Sequence, residues 1–400
     1  MRSTPPPGKR SALTAAAAVV ATWMVALPAA AQPAAERPAP RPERSAAERA
    51  AVALRLRQTY RADPATWPAP HVDPGVEWRE IGLLPRVRHP EGNPFTAAKA
   101  ELGRTLFHDP RLSAQGTVAC VSCHDPRLGW ADGRPTSAPA VGSPPRNAPT
   151  IRNAAFQPAL LWDGRAASLE EHAEIALTGP REMAADRGDV ERFLSASAGY
   201  RALFSAAYPG RPITFAGAVA AVACFERTVV GGRSRFDAFL EGDAAALSAA
   251  ELLGLDLFRG AARCMNCHHG PTFSDGRFHD LGLSFHGRSN EDLGRFDVTA
   301  DPADKGRFRT PSLRDVTQTG PLMHNGRFTL AGVLRMYDAG MVTLKRQPFE
   351  RAAPDFPVKS PHLRPLGLNR QDVDDLAAFL GSLAEPPARE APPALPAHDD

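Results

Sequence analysis

The chain has 400 residues, 43% of them hydrophobic and 23% charged, and its 47 basic and 44 acidic residues leave a formal charge of +3 at pH 7. So even a balance offers no basic field for nucleic acid, and the length suits two folded domains. Only five cysteines are present, four of which fall into the paired motifs below, which excludes a disulfide framework.

Arg2, Lys9 and Arg10 precede an apolar run from Ala12 to Leu27, and Ala29-Ala30-Ala31 offers a small-residue cleavage site. Residues 1–31 therefore read as a secretory signal peptide cut after Ala31. The run is alanine-rich and short for a spanning helix, and nothing later is long and apolar enough. After signal removal the chain is expected to have no membrane span and to reside in the periplasm, with 44 residues of each charge sign.

Residues 32–75 form a Pro/Ala-rich linker and N-terminal extension, with a helix expected from Ser45 to Tyr60. Thr96 is placed to cap a helix that carries Leu102, Leu106 and Phe107 to a core. Cys120-Val121-Ser122-Cys123-His124 follows, and the same C-x-x-C-H spacing returns as Cys264-Met265-Asn266-Cys267-His268. In that spacing two thiols add across the vinyl groups of a haem, and the histidine lies under the iron as an axial ligand. Two covalently bound c-type haems are expected, attached at Cys120, Cys123, Cys264 and Cys267, with His124 and His268 on the irons. Zinc half-sites or a redox dithiol are the competing readings; an immediate histidine in both motifs and the export signal weigh against them. Cys224, in the apolar run Phe215 to Phe225, is left as a buried, inert thiol.

Ser168-Leu169-Glu170-Glu171 opens a helix to about Leu177, and Thr214 to Val230 is a helical pattern closed by Gly231-Gly232. Ser248-Ala249-Ala250-Glu251 opens another, bearing Leu252, Leu255 and Phe258 and ended by Gly260. Thr329 to Ala339 and Asn369 to Leu383 are the last two. Strand-like alternation is nearly absent, so the fold class is mostly α with long loops. A faint repeat supports two related domains: LGRTLF at 102–107 and LGLDLF at 253–258 precede the motifs, while WADGR at 130–134 and FSDGR at 273–277 follow them.

With these residues on the page, the chain resembles the bacterial dihaem cytochrome c peroxidase family, which includes the dihaem enzyme of methylamine utilisation. The resemblance covers about Gly82 to Leu383 and is carried by LGRTLFHDPRL at 102–112, RNAPTIRNAAF at 146–156, LWDGR at 161–165, GRFRTPSLRDV at 306–316 and PLMHNG at 321–326. It implies two cytochrome-c-like haem domains, an N-terminal peroxidatic one at 76–246 and a C-terminal electron-transfer one at 247–345. A loop and C-terminal helix at 346–385 are expected to pack back on the first domain, ahead of a disordered tail at 386–400.

The resemblance further implies that hydrogen peroxide is reduced at the N-terminal haem, with electrons taken through the C-terminal haem. The donor is a small periplasmic protein, a cytochrome c or cupredoxin, or the oxidising equivalents act on a protein substrate. A non-catalytic dihaem electron carrier is the alternative; the loop from His124 to Arg146 holds no further histidine or methionine to close the first iron. Glu182 matches the family's distal acid, suited to proton transfer during peroxide cleavage. Ten residues earlier, where the family has glutamine, stands His172, which can assist proton transfer, close the iron, or be a polar helix residue. Trp162 matches the tryptophan between the haems, and Asn147, Thr319 and Pro321 match a Ca2+ site. Tyr337 stands where peroxidases of the family place a methionine ligand of the second iron. Counting from a cap at Thr329 puts it on one helix face with Leu330, Val333 and Leu334, while Met336 is turned about 100° away; Met336 and Met341 are the competing ligands.

Overall fold

A computed structural model describes residue 1 and residues 37–137, 146–346, 356–387 and 391–397. The signal sequence expected at 1–31 lies outside the described residues apart from Met1. Eleven described helices are joined by long loops: α1 (Ala46–Tyr60), α2 (Ala97–His108), α3 (Leu169–Thr178), α4 (Arg187–Ala196), α5 (Ala198–Ala207), α6 (Phe215–Glu226), α7 (Arg235–Leu240), α8 (Ala249–Arg259), α9 (Phe296–Thr299), α10 (Leu330–Asp338) and α11 (Arg370–Ser382). The only described sheet is an antiparallel pair, β1 (Phe278–Asp280) and β2 (Arg307–Arg309), in which Phe278 faces Arg309.

Helix starts follow their capping residues. Thr96 accepts from Lys99 N at 3.1 Å and Ser168 from Glu171 N at 3.1 Å. Glu171 reaches Ala167 N at 2.7 Å rather than Ser168 N, so the expected reciprocal box at α3 does not close. At α8 the box does close: Ser248 N donates to Glu251 Oε2 at 2.7 Å and Ser248 Oγ accepts from Glu251 N. α6 stops four residues short of Val230, because Arg227 is drawn to the Glu170 carboxylate at 2.7 Å and the next residues turn. α4 and α5 escaped the sequence reading, although Val190 and Leu194 on the one and Tyr200, Phe204 and Ala207 on the other keep the helical spacing of a buried face.

Two cores repeat one construction. In the first, α2 crosses α6 so closely that a Cβ on Gly103 would lie 1.9 Å from Ala221 O; in the second, α8 crosses α11 and a Cβ on Gly254 would lie 2.0 Å from Asp375 O. Only glycine permits either crossing. Each crossing carries a cluster of three rings, Phe107, Trp130 and Phe225 in the first core and Phe258, Phe273 and Phe379 in the second. The repeated segments of the sequence supply equivalent positions in both.

Four expectations need correction. α11 packs on α8 in the second core, not on the first domain: Leu376, Phe379 and Leu380 are buried there with Leu252 and Leu255. α8 buries residues on every face, Leu252, Leu253, Leu255, Leu257 and Phe258 among them, so one partner helix does not cover it. α1 packs on it as well. The boundaries shift accordingly, since Ile81, Phe236 and Phe239, from the stretch expected to be the first domain, are buried in the second core together with Tyr60 and Trp67. The described end of the linker is a strap rather than a free spacer, with Arg37 on Asp338, Arg41 on Asp372 and Arg49 on Asp375 at 2.6–3.0 Å. Finally, residues 391–397 of the tail are ordered on the first domain, where Pro396 O accepts from Arg111 Nη2 at 2.9 Å and Ala397 O from Ser197 Oγ at 3.0 Å. The chain does return to its first domain, but by its tail and not by its last helix.

Candidate functional site

Each C-x-x-C-H segment is a single tight turn, Cys120–Ser122 and Cys264–Asn266, in which the histidine N–H donates to the first cysteine's carbonyl at 3.0 and 2.8 Å. None of the four cysteines is in a disulfide. His124 Nδ1 donates to Trp130 O at 3.2 Å and His268 Nδ1 to Phe273 O at 2.9 Å. The two accepting residues have left-handed backbones, with φ of 63° and 54°, and head the D-G-R turns of the repeat. There Asp132 and Asp275 each accept from the arginine N–H two residues on, at 2.9 Å.

The arrangement fixes one tautomer. With Nδ1 tied to a carbonyl, Nε2 is left bare, the second-shell device that readies a histidine for a metal. Burial pushes His124 down to about 4, with His172 adding to the effect, and burial likewise lowers His268. Both rings are therefore neutral, as a ligand must be. Among the described residues the grouping able to hold a bare metal ion is Cys267, Asp275 and His279, which omits Cys264 and is no Cys-x-x-Cys half-site. Two cysteines outside any disulfide beside a neutral imidazole whose Nε2 is unengaged, formed twice, fit c-type haem. Two haems per chain are expected to survive denaturing gel electrophoresis and stain in place; one haem, or bound zinc, is the contrary result.

A large cavity adjoins the second motif, lined by His268, Tyr337, Trp162, Arg309, His324 and His172 among others. Tyr337 lines it, whereas Met336 and Met341 do not. Met323, in the loop before α10, also reaches this cavity and was missed by counting along the helix alone. Burial, and then the motif cysteines, hold the Tyr337 phenol well above its ordinary range, so a phenolate there requires a cation at its oxygen.

Trp162 is buried, donates from Nε1 to Asn147 O at 2.8 Å, and sits edge-on to His324 at 6.3 Å between ring centres. Its carbonyl accepts from Arg309 N at 2.8 Å. Arg309 and His324 were both missed from the sequence; the Arg309 guanidinium donates to Leu161 O at 3.1 Å and Gln157 Oε1 at 3.0 Å but has no carboxylate partner. Burial lowers Arg309 to about 10 with no carboxylate beside it, and the buried His324 Nε2 has no partner. Such groups suit the anionic edge of a haem. Asn147, Thr319 and Pro321 each line this cavity, and Asn147 Nδ2 donates to Arg134 O at 2.7 Å.

At the first motif Glu182 lies 3.9 Å from Arg165, with its side chain 38% exposed and open to a small solute. Burial on its inner side raises its carboxyl, against the pull of His172 and Arg165. Met183, beside it, brings its sulfur to 4.0 Å from Cys120 Sγ. His172 lies with its ring centre 6.3 Å from that of His124, and its Nδ1 lies 3.7 Å from Glu226 Oε1. Burial pushes His172 down but Glu226 outweighs it, and the net shift is upward. Glu226 was passed over in the sequence; a lone carboxylate directly after the apolar stretch 215–225 was the available signal.

Comparison with known proteins decides the family. A family model described as di-haem cytochrome c peroxidase matches residues 97–245. The methylamine utilization protein MauG of Methylorubrum extorquens is 40% identical over 316 residues, covering 78% of this chain and 85% of that protein. This chain belongs to the dihaem cytochrome c peroxidase family. The cytochrome-c peroxidase IdrP1 of Denitromonas iodatirespirans is 39% identical, covering 76% of this chain and 86% of the relative. A crystal structure described as a MauG-like protein associated with microbial copper homeostasis superposes with a TM-score of 0.68 at 35% identity, over 77% of this chain and 95% of that one. Membership makes the protein a haem peroxidase-like enzyme with two c-type haems, and retires the reading as a mere electron carrier.

Proposed function

We propose that this dihaem peroxidase works in the periplasm, reducing hydrogen peroxide at the N-terminal haem with electrons drawn through the C-terminal haem from a donor protein. A c-type haem supplies the iron at which the O–O bond is cleaved and through which electrons pass. The observation that carries the reading is Glu182, an acid of raised proton affinity near the first motif and open to a small solute. Its carboxylate takes the proton of the nearer peroxide oxygen and delivers it to the departing one, so that two electrons and two further protons yield two waters. Arg165, at 3.9 Å, limits how far burial raises that acid.

Trp162 lines the cavity shared by His268 and His172, which supports its role as the relay between the two centres. Its N–H bond to Asn147 O holds the indole in one orientation. Asn147, Thr319 and Pro321 would supply oxygen ligands to Ca2+ there; without a carboxylate in the set the ion would be held weakly.

Tyr337 favours a second variant, in which oxidising equivalents act on residues of a protein substrate. A phenolate is a hard anionic donor that stabilises ferric iron and lowers its potential. We therefore expect the diferric protein to react with peroxide without prior reduction, seen as a change of the haem spectrum on mixing. An obligatory one-electron reduction before reaction would return the protein to the ordinary peroxidase reading. Tyr337→Phe is expected to alter the absorption and magnetic spectra of one haem and raise its potential. An unchanged spectrum, or a methionine-sulfur signature in the parent pointing to Met323, would remove Tyr337 from the iron.

A further inference from the structure

Tyr337 stands in the last turn of α10, a place where a helix frays unless groups outside it take up its end. The start of α10 is held by the Thr329 cap, whose hydroxyl accepts from Gly332 N at 3.2 Å. The end is held by Asp338, the residue directly after Tyr337. Asp338 is 7% exposed and both of its carboxylate oxygens are spent: Oδ1 accepts from Leu368 N at 2.7 Å and Oδ2 from Arg37 Nη2 at 2.7 Å. Its carbonyl accepts from Leu366 N at 3.0 Å. Gly340, with φ of 81°, lies so close to the same segment that a Cβ on it would stand 2.8 Å from Pro365 N.

The strap at 37–49 holds that segment as well. Arg41 N donates to Gly367 O at 2.9 Å, and Asn369 Nδ2 donates to Arg41 O at 3.1 Å and to Pro42 O at 3.0 Å. A Cβ on Gly367, whose φ is 70°, would lie 2.9 Å from Ala39 O. Leu366 and Leu368 line the same cavity as Tyr337 and His268. The wall of that cavity at 366–368 is thus bonded both to the strap and to the end of α10, and Arg37 joins the strap to α10 directly. Charge keeps this join from being slack. Arg37 is the cation that faces Asp338, and a carboxylate taken out of water without one is costly. The strap lies ahead of Gly82, where the likeness to the family's motifs begins, so the residue next to Tyr337 is tied to a part of the chain outside those motifs.

We propose that Asp338 is the positioning residue for Tyr337 and that strap residues 37–42 complete its hold, so that the N-terminal extension sets how firmly the phenolate stays on the second iron. The proposal rests on the reading of Tyr337 as a ligand of that iron. An anionic oxygen held firmly keeps the second haem six-coordinate and its potential low. When the end of α10 is released from the strap, the phenol leaves the iron more often, the position opens to small added ligands and the potential rises. Arg49 belongs to the same strap but pairs with Asp375 on α11, away from α10, and so has no part in this hold.

The test uses the full chain as diferric holoprotein, with two haems verified, and Tyr337→Phe marks which haem signals belong to the second site. Asp338→Asn is expected to shift the electron paramagnetic resonance of that haem, raise its midpoint potential and let cyanide enter there on the order of tenfold faster or more, the size of a lost charge-assisted hydrogen bond read as a larger open fraction. Arg37→Gln should move the same signals in the same direction and less far, since Leu368 N still holds Oδ1. Arg37→Lys, which keeps the charge, should bring them back towards the parent. Arg49→Gln loosens the strap on α11 alone and should leave spectrum, potential and cyanide entry at parent values. Parent-like values in Asp338→Asn overturn the proposal, and so does a change in Arg49→Gln equal to that in Arg37→Gln, which would mean general loosening. If Asp338→Asn does not fold with two haems, Arg37→Gln decides alone, and a parent-like second haem in it overturns the proposal. If Tyr337→Phe alters the haem and neither Asp338→Asn nor Arg37→Gln does, the ligand reading stands and this one falls. If Tyr337→Phe leaves the spectrum unchanged, the ligand reading itself falls and takes the proposal with it.

Discussion

Glu182→Gln is expected to keep both haems in place and slow the reaction with peroxide by roughly 10²-fold or more, the usual size of a lost acid–base group. The amide preserves shape and the neighbouring Arg165, so haem content and resting spectra should match the parent. The pH profile separates chemistry from packing. Because the Glu182 carboxyl is raised above its ordinary value by burial, it retains its proton to a higher pH than a free glutamate. A step that uses the carboxylate as base is therefore lost as pH falls through that raised value. The parent should show this acid limb and Glu182→Gln should not. An equal rate in the two proteins, with the limb intact, would remove Glu182 from proton transfer.

Arg314→Met is expected to cost about 3–5 kcal/mol of stability, the size of a buried pair broken on one side. Arg314 Nη1 donates to Asp237 Oδ2 at 2.9 Å, with the two side chains 2% and 0% exposed, and its other nitrogens donate to Pro271 O at 2.7 Å and Gly82 O at 2.9 Å. The guanidinium also lies over the ring of Phe273, whose carbonyl orients His268. One side chain thus joins α7, two loops and the support of the second motif. Methionine fills much of the volume but leaves the Asp237 charge buried and uncompensated. The thermal midpoint should fall by roughly 4–6 °C, followed by far-ultraviolet circular dichroism and the haem absorption band. Arg127→Met is the control: that pair with Asp125 is exposed on the arginine side and its loss should leave the thermal midpoint essentially unchanged. Adding Asp237→Asn to Arg314→Met should recover part of the loss, since the stranded charge is then gone. A drop no larger than that of the control would show that the pair does not hold these segments.

The sequence by itself determined whatever rests on short-range spacing. The two C-x-x-C-H turns, the caps at Thr96, Ser168 and Ser248, the mostly helical class and the doubled pattern around each motif are set by neighbours within a few residues, where covalent geometry and local hydrogen bonds leave few options. Even the positions of the glycine crossings and the aromatic clusters are visible as a repeat. Only the tertiary structure decided which helix covers which. α11 has an apolar face that suits either core, and its packing on α8 depends on Gly254 meeting the Asp375 backbone, a contact between residues more than a hundred positions apart. Likewise a strap of arginines at 37–49 and a tail at 391–397 look featureless in composition, because their hold comes from carboxylates and side chains supplied by distant helices. His172 and Glu226 stand 54 positions apart on different helices, so their closeness, and that of His172 to His124, has no sequence signature. Composition and local spacing act along the chain, while ligand distance and burial of charge are properties of the packed interior.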